Sequence, residues 1–321
     1  MKKIFLLVSI AIMLVLSCGN EGKDSSKAGG EKSKDSFKIG ITQIVAHPAL
    51  DSAREGFKDA FKEAGLKVVF DEKNANGEIA TANMIANNFV TEKVDMIYAI
   101  ATSTAQAAAQ STDKIPVVFS AITDPEAAGI LKKNVTGISD RVNVKQQLEL
   151  LLKLDSKIKK VGVIYNSSEQ NSKVQVDDLK KAASELGITI VEKSVTQVSE
   201  IPQASETLVK ESDALYLPTD NLVASVVNLI TEKAIKAKKI AFGAESAHVK
   251  GGALITQGVD YYEMGKEAGK IAVDILKNGK NPSEITFKKM DLNDIAINNK
   301  TLAAIGISLP EDIKSKAKTI D

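Results

Sequence analysis

Seven short stretches of small polar and acidic residues each follow an apolar, β-branched run or its turn. They are Thr42-Gln43, Ala101-Thr102-Ser103-Thr104, Thr123-Asp124-Pro125, Ser139-Asp140-Arg141, Asn166-Ser167-Ser168, Thr219-Asp220-Asn221 and Glu245-Ser246. Hydroxyls at helix N-termini, beside free backbone N–H groups, suit a carboxylate. An acidic side chain nearby suits an ammonium through a charge-assisted hydrogen bond. Ser103, Thr104 and Ser167, with Ser168, supply the first kind of group. Asp220 supplies the second, with Asp124, Asp140 and Glu245 as rivals. Together they have the chemistry to hold a zwitterionic amino acid. Each residue also has a plainer use, since Ser and Asp cap helices at about 1 kcal/mol apiece and Asp-Pro forms turns. At any one position capping explains the residue as well as ligand contact does; the case rests on all of them falling at the same edge.

Other chemistries find no support. Neither G-x-G-x-x-G nor the P-loop pattern follows any apolar run, and there is no G-x-S-x-G elbow. His47 and His248 are the only histidines and Cys18 the only cysteine. Neither histidine has a second histidine or a cysteine three or four residues away, so no metal or cofactor is expected. A formal charge of +1 gives no reason to expect nucleic acid. A hydrolase working through Asp124, Asp220 or Glu245 stays open as an alternative, as does a sensor.

The elements that must position these residues alternate with regularity. FKIGITQ, KVVFDEKN, VDMIYAI and IPVVFSAI read as strands separated by amphipathic helices. KKVGVIYN, ITIVEKSV, DALYLP and KIAFGAE repeat the plan after residue 147. Residues 220–237 read as one helix. The alternation predicts two Rossmann-like α/β lobes with parallel sheets and a hinged cleft between them, ligands lying at the carboxyl ends of the strands. Hinges are expected at Asp140–Lys145 and Gly251–Gln257, with Tyr165, Phe119 and Tyr262 as candidate walls for an apolar group.

Ahead of the lobes, a basic start and the apolar run Ile4–Leu16 read as a signal peptide over 1–17. VLSCG resembles a bacterial lipobox, which implies acylation of Cys18. Residues 18–36 then form a Gly/Ser/Lys-rich tether.

The blocks ITQIVAHPALDSAREGFKDAF, IATSTAQAAAQ, PVVFSAITDPEAAG, VTGISD, VGVIYNSSEQNS and YLPTDNLVAS resemble the substrate-binding lipoproteins of ABC importers. The subfamily is the one associated with tryptophan and tyrosine uptake. The resemblance implies a type I periplasmic-binding-protein fold, with one lobe over 37–140 plus 257–289 and the other over 141–256 plus 290–321. It implies a monomer that is extracytoplasmic and held at the membrane by its lipid alone. Such a monomer closes over L-tryptophan or L-tyrosine and delivers it to ABC permease subunits, with no catalysis. It places Gln43, Ser103, Thr104, Asp124, Asn166, Ser167, Thr219, Asp220 and Asn221 around the cleft. Thr42, Thr102 and Glu245 join them from the strand ends. Family members often carry proline where this chain has Ser103.

Overall fold

The computed structural model describes residues 36–290 and 295–320. The signal, Cys18 and all of the tether but Ser36 lie outside the described residues. The chain opens with β1 (Phe37–Gln43), α1 (Pro48–Glu63), β2 (Val68–Asn74), α2 (Ile79–Thr91), β3 (Met96–Ile100), α3 (Thr102–Ser111), β4 (Val117–Ile122) and β5 (Val135–Ser139). It crosses into α4 (Val144–Leu154), β6 (Lys160–Asn166), α5 (Gln170–Leu186), β7 (Thr189–Val195), α6 (Ile201–Glu211), β8 (Ala214–Leu217), α7 (Asn221–Ser225), α8 (Val227–Lys236), β9 (Ile240–Glu245), α9 (Ser246–Lys250) and β10 (Ile255–Val259). α10 (Tyr261–Asn278) and β11 (Lys288–Lys289) return to the first lobe. β12 (Ile295–Asn298), α11 (Asn299–Ile305), α12 (Glu311–Lys314) and β13 (Ala317–Ile320) complete the second.

One sheet runs β11-β5-β4-β3-β1-β2 and the other β13-β12-β10-β9-β8-β6-β7. Every pairing is parallel except β10 with β12. The central strands are continuous apolar runs because both faces are covered: β3, β4 and β9 are buried at every residue. In each lobe the first strand lies between the second and the third, so strand order reverses at β1/β3 and again at β6/β8. In open α/β sheets ligands lie at that reversal, outside the carboxyl ends. Thr42-Gln43 and the start of α3 flank one reversal; Asn166-Ser167 and Thr219-Asp220-Asn221 flank the other.

α10 packs on α1 at backbone distance. A Cβ at Gly265 would lie 1.9 Å from the Ala53 carbonyl oxygen, and one at Gly56 would lie 2.0 Å from that of Tyr262. This contact keeps α10 with the first lobe although it follows a strand of the second.

Several expectations need correction. The lobe change expected at residue 257 falls inside β10, which pairs wholly within the second sheet. The crossing is therefore at Asp260, and Gly251–Gln257 is not a hinge. After β5 the chain passes through residues 140–143 into α4. The helix expected over 220–237 is two, broken at Val226, whose φ of −137° and ψ of 29° leave the helical region. None of the three aromatic residues proposed as walls lines the cleft. Phe119 is fully buried in the core against Phe287, Tyr262 donates to Asp59 on the first lobe's outer face, and Tyr165 neighbours Glu192 on the second sheet.

Candidate functional site

The two reversal points face each other and enclose two rooms. The inner one is nearly filled, with ≈ 10 Å³ of space, and is lined from the first lobe and its hinge by His47, Ala121, Asp140 and Tyr261. Thr219, Asp220, Asn221 and Glu245 line it from the second lobe. The outer room holds ≈ 300 Å³. Its walls mix aliphatic side chains (Ile44, Val45, Ile79, Val198 and Leu222) with polar ones, Ser103, Asn166, Glu169 and Gln197 among them, and Asn221 is shared with the inner room. The lobes touch at polar contacts: His47 Nε2 lies 3.3 Å from Asn221 Oδ1, and Thr123 Oγ1 lies 3.4 Å from Thr219 Oγ1.

Asp220 is the N-cap of α7, accepting from Val223 N–H at 2.9 Å. Its other oxygen accepts from Asn166 N–H at 2.5 Å and Ser172 Oγ at 2.6 Å. Three of its four lone-pair sites are therefore taken, and these bonds tie the β6 and β8 loops together. Glu169, which the sequence reading passed over, does the same on a larger scale. Its Oε1 accepts from Asn166 Nδ2 and Leu222 N–H, and its Oε2 from Asn171 Nδ2, Asn221 N–H and Asn221 Nδ2. It occupies the first amide groups of α7, where an anionic ligand group would otherwise bind. Beneath them, Gln175 accepts from Thr219 N–H and Oγ1 at 2.6 and 3.0 Å, and Tyr216 donates to Gln147 at 2.6 Å. Gln175 belongs to the buried stripe Ser172, Gln175, Val176, Leu179 on α5. An amide within an apolar helical stripe was the sequence signal for this network.

The remaining expected residues divide. Thr42 and Thr102 are buried with hydroxyls that have no partner among the described residues, and Ser103 faces the outer room. No side chain caps α3, so its first-turn N–H groups stay available to a ligand. Ala101, just before it, has φ 85° and ψ 160°. An alanine held in this glycine-only region costs about 1–3 kcal/mol, and the strain sits at the mouth of the cleft, two residues before Ser103. Gln43 is tied to Val45, Asp51 and Arg54 within its own lobe. Thr104 donates back to the Ile100 and Ala101 carbonyls. Asp124 lines neither room; it accepts from Ala127 N–H and pairs with Arg141, which also reaches Asp178 on α5. Ser167 lines neither room, its N–H donating to the Val195 carbonyl. Asn166 lines the outer room while its side chain braces the turn at Ser168 and Glu169.

At the hinge side of the inner room, Tyr261 donates to Asp140 Oδ2 at 2.7 Å and Thr123 to Asp140 Oδ1 at 3.0 Å. Burial pushes Glu245 up to about 8, the charge of Asp140 adding to this and the Tyr261 hydrogen bond opposing it. Burial likewise raises Asp140 and, with the charge of Glu169, Asp220. Burial lowers His47 to about 4, against its hydrogen bond to Asn221, and His248 to about 3. Both imidazoles are neutral at pH 7.

These shifts fix the direction of the pH dependence. A carboxyl raised on folding stabilises fully below its ordinary value, and that stability is lost as pH rises through the raised one. A lowered histidine stabilises above its ordinary value, and that stability is lost as pH falls. The two trends offset one another below pH 6.5, the ordinary histidine value. Above it only the carboxyls act. Stability of the ligand-free protein is expected to fall by about 2 kcal/mol between pH 6.5 and 8 from Glu245 alone, at about 1.4 kcal/mol per pK unit. Urea melts across that range check this; a flat profile would mean Glu245 is not held protonated.

The family model "ABC transporter substrate binding protein" matches residues 38–320. A tyrosine-binding protein of Clostridioides difficile is 40% identical over 95% of this chain and 92% of its own length. Among solved structures, an ABC domain from Streptococcus pneumonia in complex with L-Trp has a TM-score of 0.83 at 32% identity, covering 88% of this chain and 100% of that one. A ligand-free, open substrate-binding protein from Clostridium difficile has 42% identity but a TM-score of only 0.68, covering 89% of this chain and 99% of that one. Higher identity with poorer superposition is the mark of the same lobes rotated about a hinge, and the lobes here are disposed as in the ligand-bound relative. With the family model spanning both lobes and a close relative matching along nearly the whole chain, the protein belongs to the ABC transporter substrate-binding protein family.

Proposed function

We propose that this protein is an extracytoplasmic receptor, anchored through lipid on Cys18, that binds one aromatic amino acid, tyrosine or tryptophan. It closes over that ligand and presents it to the permease of an ABC importer. The observation that carries the reading is the inner room: buried carboxyl groups converge on it from three elements while both nearby histidines are neutral. Such a site calls for a cation. The uncapped start of α3, with Thr102 and Ser103, supplies donors for a carboxylate at the facing edge. The aliphatic part of the outer room (Ile44, Val45, Ile79, Val198 and Leu222) suits an apolar side chain, and the room's volume is at the lower end of the ≈ 300–1,000 Å³ typical of ligand pockets. Tyrosine and tryptophan are chosen because the tyrosine-binding relative at 40% identity and the L-Trp complex at 32% identity carry them.

A thermal-shift screen against the twenty amino acids and common sugars tests this reading. A ligand at one hundred times its Kd adds about 2.7 kcal/mol of stability, raising Tm by roughly 5 °C in a chain of this size. Tyrosine or tryptophan is expected to give the largest rise and to be recovered unchanged. A rise with sugars alone would overturn the ligand class.

A further inference from the structure

Four carboxyl groups, those of Asp140, Glu169, Asp220 and Glu245, are buried around the cleft, and none pairs with a lysine or arginine among the described residues. Their hydrogen bonds differ sharply. Glu169 accepts from five N–H groups and Asp220 from three donors. Glu245 Oε1, in contrast, is buried against the inner room with no hydrogen-bond partner. His248 Nε2 approaches it to 3.2 Å but out of line for a hydrogen bond, and the neutral imidazole brings no counter-charge. Tyr261 reaches both Asp140 and Glu245, yet its hydroxyl has one proton to donate. The cluster lacks donors on the side facing the room.

We infer that Glu245, Asp140 and the Tyr261 hydroxyl form the seat of the ligand's ammonium group, while Asp220 and Glu169 shape the cleft wall without supplying the counter-charge. This rests on the amino-acid reading above. A primary ammonium carries three N–H donors, matching the free Glu245 oxygen and the remaining lone pairs of Asp140. Asp140 opens the first crossing between lobes and Tyr261, at the start of α10, ends the return crossing, so the seat lies on the hinge and is complete only when the lobes close. The groups facing Glu245 are Asp140 after β5, Tyr261 on α10 and His248 on α9. Glu245 holds a proton at pH 7 in the closed, empty cleft, and an entering ammonium displaces it. Binding therefore releases up to one proton per ligand.

The test is calorimetric titration with L-tyrosine and L-tryptophan and with their deamino analogues, 3-(4-hydroxyphenyl)propionate and indole-3-propionate. It is run at pH 7 in two buffers of different ionisation heat. A site built for a polar group rejects an analogue lacking it strongly, so the unaltered protein is expected to prefer the amino acid by about 100-fold or more and to release protons. Glu245→Gln is expected to cut that preference at least about tenfold and abolish proton release. Asp220→Asn is expected to lose overall affinity while keeping the preference. If Glu245→Gln keeps both the preference and the proton release, or Asp220→Asn is the variant that loses the preference, the assignment is overturned and the amino-acid reading stands. If the unaltered protein binds neither amino acid, both fall. Should Glu245→Gln fail to fold, absence of proton release by the unaltered protein between pH 6.5 and 8 overturns the assignment.

Discussion

Gly265→Leu is expected to prevent the first lobe from folding. α1 and α10 meet where Gly56, Gly265 and Gly269 leave no room for side chains. A Cβ at Gly265 would lie 1.9 Å from the Ala53 carbonyl oxygen and one at Gly269 2.7 Å from that of Phe57. The obstacle is backbone, so no rotamer change relieves it. Separating two buried helices by more than an ångström opens voids beside Phe57, Phe61 and Met264, all buried. Overpacking alone costs about 1–3 kcal/mol and the accompanying voids bring a comparable cost, together a large share of the 5–15 kcal/mol that stabilises a typical domain. Circular dichroism and urea melts check it. A soluble Gly265→Leu protein with an unchanged midpoint would show that the helices separate freely.

Glu169→Ala is expected to be the second most damaging change, and its effect should fall on the cleft. Five N–H groups from Asn166, Asn171, Asn221 and Leu222 converge on its carboxylate. Removing one partner of a buried charged network costs about 3–5 kcal/mol because the donors are left unpaired. Water entering from the outer room moderates the loss toward the lower figure. Affinity should drop at least tenfold, since Asn221 then loses the hold that points it at His47. Glu169→Gln offers a finer readout. Glu169's negative charge raises Asp220, so its removal should lower the Asp220 titration, visible by NMR of the carboxyl carbon. An unchanged melt for Glu169→Ala would show that the network contributes no rigidity.

How much of this was legible before the fold was known depends on the range of the contact involved. Apolar runs alternating with amphipathic segments are local, so the lobes and the location of the polar stretches at strand ends could be read directly. The reversal of strand order at β1/β3 and β6/β8 then brings those ends together, as the doubly wound architecture requires. The allocation of roles was not legible. Asp220 lines the inner room and was read as the partner of the ammonium; nothing nearby in sequence shows that Asn166 N–H and Ser172 Oγ donate to it. Glu169 looked like an ordinary residue at a helix start; its amide donors on α7 lie 52 and 53 residues away. Asp124 was offered as a ligand contact and instead joins Arg141 and Asp178 across the hinge. The break at Val226 also escaped, since the apolar positions on either side keep helical spacing through it.

The central claim, that the cleft between the lobes receives an aromatic amino acid, is tested most directly by fluorescence titration. The chain contains no tryptophan, so the emission of L-tryptophan can be followed without background as protein is added. The account predicts a saturable change with one ligand per chain, reversed by excess tyrosine and untouched by glucose or myo-inositol. A signal that does not saturate, or one displaced by a sugar and not by tyrosine, would contradict it.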